Sequence, residues 1–457
     1  MSVSSRPTRD IKGIWNVKSL SPGCLRPREA ERGEAPAPMV TSSCVFALLW
    51  ILALPSLLQG QPLTETERIG PMSFEANQRL GSDVATGYQG QPMLLSIMTD
   101  DGGIHRSGVY RAVRTAEGWD RWAAWDLDSR TSTVATRGPD AIYGLADPDD
   151  SGGEVWSLTP SLRFLLFEGI DLAPEALDII PGIIAVGMPS YGFGAGRVRV
   201  YRYDGESDAW LPDPPLDGEL SDGFGTSVAF DLVTGVLLVG APGAGDNGKV
   251  ETFAYVQGSW LRWGTLLPPS EFDSQSGAAF GTSLAVEDDW LAVGAPATNK
   301  IFSGIGIPAN DVGAVLLYQQ AHEFRQYFQE VYEGDALGTD VALSSVDGEL
   351  LLAAGSPGAD LGAANTGGVS MFTLGPGETV WTQGQRLMAS DRGQGDAMGA
   401  SVDIYERRVV VGAPGWDYCA PGPLCAADVG SVYIFEHVGA IFVDGFETGD
   451  LSFWSAP

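Results

Sequence analysis

One cadence recurs along the C-terminal half of the chain: a Phe-Gly or similar pair, a short apolar run, then Gly-Ala-Pro. It stands as Phe224-Gly225-Thr226-Ser227 leading to Gly240-Ala241-Pro242, and as Phe280-Gly281-Thr282-Ser283 leading to Gly294-Ala295-Pro296. Looser copies run from Leu337-Gly338-Thr339 to Gly355-Ser356-Pro357, and from Met398-Gly399-Ala400-Ser401 to Gly412-Ala413-Pro414. Self-similarity at such a period means that one supersecondary unit is stacked many times, and this constrains the fold more than any single motif.

Each unit reads as four antiparallel strands. In the clearest copy, Thr226 to Phe230 is followed by Val236-Leu237-Leu238-Val239, continuously apolar as a strand buried on both faces should be. Gly248 to Tyr255 then alternates in character, and Ser259-Trp260-Leu261-Arg262-Trp263 completes the set. Glycine serves where a turn or a close approach excludes a Cβ, and the proline after Gly-Ala ends a strand because it cannot donate to a ladder.

With this template, worn copies become visible at Ile184 to Tyr201, Ala141 to Leu158 and Leu80 to Arg111. The anchor positions are then 96, 144, 187, 240, 294, 355 and 412. Seven four-stranded units predict an all-β, seven-bladed β-propeller, in which radial closure protects the strand edges. The 60 glycines and the 19% of charged residues suit a turn-rich chain of this class.

These residues resemble the FG-GAP repeat, the unit of the propeller at the head of integrin alpha subunits and of many secreted bacterial proteins. The resemblance spans roughly residues 75–440 and is most specific over 220–440. It implies a binding or adhesion role. In integrin-type units an Asp-x-Asp-x-Asp-Gly loop between the two signatures holds calcium. Here the corresponding loops begin at Asp231, Glu287, Ser344 and Tyr405, and none offers the alternating oxygen ligands that calcium needs. The chain is similar to the bacterial variety that lacks metal, and no metal or cofactor is expected. Asp147-Pro148-Asp149-Asp150-Ser151-Gly152 starts like a calcium loop but has Val155 where a closing carboxylate is required, and reads as a turn.

The chain divides into residues 1–38, polar and without periodicity; 39–60, containing an uncharged apolar run at 42–58; the propeller at 61–440; and a tail at 441–457. The apolar run reads as a signal peptide with cleavage near Leu58-Gln59-Gly60, or as an uncleaved anchor, and predicts export. The long basic lead before it suggests an over-extended start. The tail, Asp444-Gly445-Phe446-Glu447-Thr448-Gly449-Asp450, resembles the ending of many secreted proteins of Gram-negative bacteria. Losing residues 1–60 removes seven basic and four acidic residues, which takes the net charge from −31 to −34. Such a surface disfavours nucleic acid and anionic lipid as partners. Membrane contact is expected only through an N-terminal anchor. Cys419 and Cys425, flanking a Pro/Gly loop, are expected to form a disulfide in an exported protein.

No catalytic set emerges. His105, His322 and His437 fall in separate units and read as exposed strand or loop residues, and no nucleophile elbow, zincin motif or P-loop is present. A positional pattern is more informative. An Asp or Asn follows the anchor glycine by about five residues at Asp101, Asp149, Asp246, Asn299, Asp360 and Asp417. The links between units are acidic too, at Asp217, Glu219, Asp222, Glu271, Asp273, Glu333, Asp335, Asp391 and Asp396. Both groups should emerge on one face as a negative rim, with Asp101, Asp149, Asp246, Asp360 and Asp417 as ligand-face candidates. Trp122, Trp210, Trp260, Trp263 and Trp381 recur on outer strands and are expected to pack between blades. The leading expectation is a non-catalytic module for an extracellular protein or glycan. An enzyme acting on polysaccharide at the channel mouth and a structural part of an envelope assembly are the alternatives. A cluster of ionisable groups with perturbed pKa values at the channel would favour the enzyme.

Overall fold

The computed structural model describes residues 63–437 apart from short segments, among them 71–77, 87–92, 302–307 and 420–424. Within these residues the chain forms seven radial sheets of four antiparallel strands. Their innermost strands are Val84–Ala85, Thr131–Arg137, Ala176–Ile180, Val228–Asp231, Leu284–Glu287, Val341–Val346 and Ser401–Tyr405, defining blades 1 to 7. In blade 4 the following strands are Val236–Ala241, Lys249–Val256 and Ser259–Leu266, close to the sequence expectation. The first three units, worn in sequence, form complete blades.

The order of strands in blade 7 is not legible in the repeat. From the channel outward it runs Ser401–Tyr405, Arg408–Ala413, Ser431–His437 and then Leu63–Ile69. The first described strand thus closes the ring against the last, with Leu63 opposite His437 and Ile69 opposite Val432. Blade 6 holds it from the side. The Gln385 carboxamide accepts from the Leu63 N–H at 2.8 Å and donates to the Leu63 carbonyl at 2.7 Å. Glu65 accepts from both the amide and the hydroxyl of Ser390, and Arg68 pairs with Asp391 while lying over the Trp416 ring. The Gln326 carboxamide clasps the main chain of Trp381 in the same way between blades 5 and 6.

The signature residues meet between neighbouring blades. Within a blade, the amide of the Phe-Gly glycine donates to the Gly-Ala-Pro glycine, as Gly225 does to Gly240 and Gly281 to Gly294. The carbonyl of the next blade's Phe-Gly glycine then sits over that same anchor glycine. A Cβ on Gly187, Gly240, Gly294, Gly355 or Gly412 would lie 2.0 to 2.1 Å from that oxygen, so no other residue fits. Blade 1 keeps the intra-blade bond with Ser96 in the anchor's place. Phe224 and Phe280 are fully buried in the wedges between blades.

Outer strands carry a bulge at matching places in several blades, between partners Val155/Trp156, Thr252/Phe253, Leu317/Tyr318, Ser370/Phe372 and Glu65/Glu67. An unpaired outer edge is a template for aggregation, and a bulge interrupts it. Among the described residues no helix is long and apolar enough to cross a membrane, and the apolar run at 42–58 lies outside them.

The anchor contact predicts a sharp contrast between two glycines. Gly240→Ala forces a Cβ onto the Gly281 carbonyl and is expected to cost about 3 kcal/mol. Gly205→Ala, with nothing within 4 Å, should stay within about 0.5 kcal/mol in the same denaturant melts.

Candidate functional site

Two regions gather chemistry: the loop-bearing face and the central channel. The face is fixed by parallel bridges that join the start of each third strand to the next blade's signature, as in Gly196 with Phe224, Gly248 with Phe280, Gly313 with Leu337 and Gly367 with Met398. The loops between second and third strands and the links between blades therefore share one side.

Asp246, Asp360 and Asp417 are exposed on that side. Asp101 and Asp149 lie outside the described residues, as does most of the Asp147–Gly152 stretch. The repeated position has an architectural use: Asn299, Asp360 and Asp417 accept from the amides of Asp311, Asn365 and Asp428 and so close their own loops. The negative rim is narrower than the sequence suggests. Asp222, Asp335 and Asp396, two residues before the signature, are buried. Asp222 pairs with Lys249 at 2.8 Å, beside a Glu251 held by Lys249 and Arg262. Burial pushes the Asp335 carboxyl up to about 6 despite Arg386 nearby, and burial likewise raises Asp396. Asp217 pairs with Arg197, and Asp391 with Arg68. Alongside the exposed acids stand exposed apolar side chains: Phe193 at 95%, Leu220 at 73% and Tyr332 at 69%. The Gly223 N–H donates to the Gly194 carbonyl, which brings the Phe193 loop beside the link carrying Leu220.

The tryptophans divide. Trp260 and Trp381 are buried between blades, with Trp381 edge-on to Trp290 at 5.3 Å. Trp263, the bulged residue in the outer strand of blade 4, is 75% exposed and does not pack as expected. His322 also departs from the sequence expectation: it is largely enclosed and lies 3.2 Å from Asp231 of the neighbouring blade. The Asp231 loop, which the sequence excluded as a calcium site, turns its carboxylate back on itself. Although burial works to raise this group, bonds from His322, Thr234 and Val233 hold its pKa down to about 2. The expected Cys419–Cys425 disulfide is present, joining a two-strand hairpin in the loop of blade 7.

Sequence reasoning missed the channel. In the innermost strands the residue facing the anchor glycine is Ser227, Ser283 or Ser401 in three blades, and each hydroxyl donates to the next blade's Phe-Gly carbonyl at 2.8 to 2.9 Å. In blades 1 and 6 the same position is Asp83 and Asp340. Their carboxylates accept instead from the main-chain amides of Val134 and Val402 in the following blade. Two residues further along, Asp178 accepts from Phe230 and Asp403 from Thr86. These aspartates staple one blade to the next. A comparison of Leu80-Gly81-Ser82-Asp83 and Leu337-Gly338-Thr339-Asp340 with Phe224-Gly225-Thr226-Ser227 would have exposed the first pair; nothing in the repeat marks the second.

Blades 6, 7 and 1 are adjacent, so Asp340, Asp403 and Asp83 share one wall. Enclosure by protein pushes Asp83 and Asp403 up to about 6 and Asp340 to about 8, with the neighbouring carboxylates adding to the rise at Asp83 and Asp340. Both oxygens of Asp340 and of Asp403 accept main-chain N–H bonds, which leaves them poorly placed as free acids or bases. Among the described residues no group of three His, Cys, Asp or Glu is placed to hold a metal.

The sequence profile of the FG-GAP repeat matches residues 381–435, the outer strand of blade 6 through blade 7. The same signature-to-anchor contact recurs at four further junctions. The chain is a seven-bladed β-propeller that carries an FG-GAP repeat at its last blade. A search of curated proteins finds no match. Among solved structures, this propeller is similar to Sqt1 from Chaetomium thermophilum, at 13% identity and a TM-score of 0.48, over 82% of this chain and 100% of that one. It is similar also to the β-propeller domain of the Trilobed protease from Pyrococcus furiosus, at 10% identity and a TM-score of 0.41, over 73% and 90% of the two chains.

The channel carboxylates predict an inverse pH dependence of stability. Their folded pKa values, about 6 to 8, exceed the ordinary 3.8, so the folded state holds these protons more tightly than the unfolded chain. Stability should fall as pH rises from about 4 to about 8. Thermal melts across this window should show Tm declining for the unmodified chain and declining less for Asp340→Asn; an equal slope in both would exclude Asp340 as a source.

Proposed function

We propose that the chain is an exported FG-GAP propeller that binds an extracellular protein or glycan through its loop-bearing face, without catalysis of its own. The observation that carries this reading is the mixture on that face. Phe193, Leu220 and Tyr332 stand free of the core among Asp217, Glu219, Asp246, Glu333 and Asp360. Exposed apolar groups rimmed by charge are the surface chemistry of recognition sites, and the acidic surround favours a basic partner. Export is supported by the apolar run at 42–58 and by the Cys419–Cys425 disulfide, which suits an oxidising compartment. The Gram-negative tail resemblance points to the cell exterior.

A second reading, an enzyme acting on extracellular polysaccharide, draws on the raised pKa values of Asp83, Asp340 and Asp403. Their engagement with main-chain amides favours a structural duty and leaves binding as the stronger reading.

Screening the purified chain on a glycan array and against displayed peptides should yield ligands whose affinity drops at least tenfold in a Phe193→Ala/Leu220→Ala/Tyr332→Ala triple variant with an unchanged Tm. Full affinity in that variant would remove the loop face from consideration. Release of reducing ends from a polysaccharide by the unmodified chain, lost in Asp340→Asn, would replace binding by catalysis.

A further inference from the structure

We propose that the end of the central channel away from the inter-blade loops binds a small neutral polyol of about monosaccharide size. The channel opens there into a cavity of about 340 Å³, at the lower end of ligand pockets. Its walls are the free edges of the innermost strands. In an antiparallel ladder alternate residues turn their N–H and C=O away from the partner strand, and on these strands that means toward the channel.

At four junctions an aspartate of the preceding blade occupies those amides: Asp83 at Val134, Asp178 at Phe230, Asp340 at Val402 and Asp403 at Thr86. Blades 5 and 6 lack such a cap at the corresponding places. The positions equivalent to Asp178 and Asp403 are Ala229 and Ala285, which cannot reach the amides of Val286 and Leu343. The Ser227 hydroxyl is committed to the Gly281 carbonyl and so does not serve Leu284. Main-chain donors on neighbouring strands, Leu284, Val286 and Leu343 among them, therefore border the cavity without a side-chain cap from the preceding blade, among the described residues. Asp178 and Asp403 border the same cavity from blades 3 and 7.

This arrangement selects a class of ligand. An anion would satisfy the amides but meet Asp178, Asp403 and Glu287. A metal ion would meet the carboxylates but find no group of three suitable ligands among the described residues. A hydroxyl accepts from N–H and donates to a carboxylate, so an uncharged molecule with several hydroxyls matches both walls at once. The cavity lies toward the opposite end of the channel from the loop face, and this inference does not depend on the function proposed for that face.

The test uses the full chain with glucose, galactose, mannose and myo-inositol as probes, followed by calorimetry and by hydrogen exchange of the segments 284–287 and 341–346. At least one probe should bind saturably and slow exchange at Leu284, Val286 and Leu343. Ala229→Asp and Ala285→Asp, which install the cap found in blades 3 and 7, should each weaken that probe at least tenfold without lowering Tm, whereas Phe193→Ala should leave it unchanged. If no probe slows exchange, the channel holds water only and the proposal fails. It fails equally if both aspartate variants bind as the parent does. Should those variants not fold, the exchange result on the unmodified chain decides.

Discussion

Everything in this propeller hangs on a contact between two glycines of neighbouring blades. In five of the seven blades the anchor glycine at the end of the second strand has no Cβ, and the carbonyl of the next blade's signature glycine occupies that space. This sets both the spacing and the angle between sheets. Once it is set, the apolar second strands face one another across the wedges, and Phe224, Phe280, Leu337 and Met398 fill the space between them. The same contact also carries a hydrogen-bond duty. The serine beside it, or the aspartate that replaces the serine, ties its blade to the next, so packing and polar satisfaction are achieved by one short stretch of chain.

Much of the architecture was legible because that contact demands particular residues. Gly and Pro leave a recognisable trace at 240–242, 294–296 and 412–414, and the continuous apolar runs before them mark the buried strands. Legibility fails where several side chains serve one geometry. Ser96 and Gly144 both stand where later blades keep Gly-Ala-Pro, which is why the early blades look worn though they are complete. The closing strand Leu63–Ile69 carries no signature at all, since its position is decided by pairing with residues 431–437 and by side chains such as Gln385. For the candidate sites, sequence position predicted exposure at Asp246, Asp360 and Asp417 but not the burial of Asp222, Asp335 and Asp396. The two sets sit on different connections: the buried acids stand in the links, two residues before the signature, where they are drawn under the loops, Asp222 with Lys249 and Asp335 with Arg386.

The acidity of the chain is thus distributed with more order than its net charge of −31 implies. One set of carboxylates lines the channel and holds main-chain amides. A second is buried under the links, and a third, mostly on loops, meets solvent beside Phe193, Leu220 and Tyr332. Only the third is free to meet a large partner. Counting charges alone would have merged structural acids with recognition acids, which have opposite relations to solvent.

The pairing of Leu63–Ile69 with Ser431–His437 has a consequence for the order of folding events. Blades 1 to 6 are built from neighbouring segments and can form as each is completed. Blade 7 joins residues more than three hundred positions apart, and closing so long a loop is entropically slow compared with local hairpins. The first strand of the ring to be synthesised must therefore wait, unpaired, until the third strand of blade 7 exists. Until the two strands then meet, the third strand's outer edge has no partner of its own, and the ring passes through an open form in which chain ends, not blades, determine whether folding finishes.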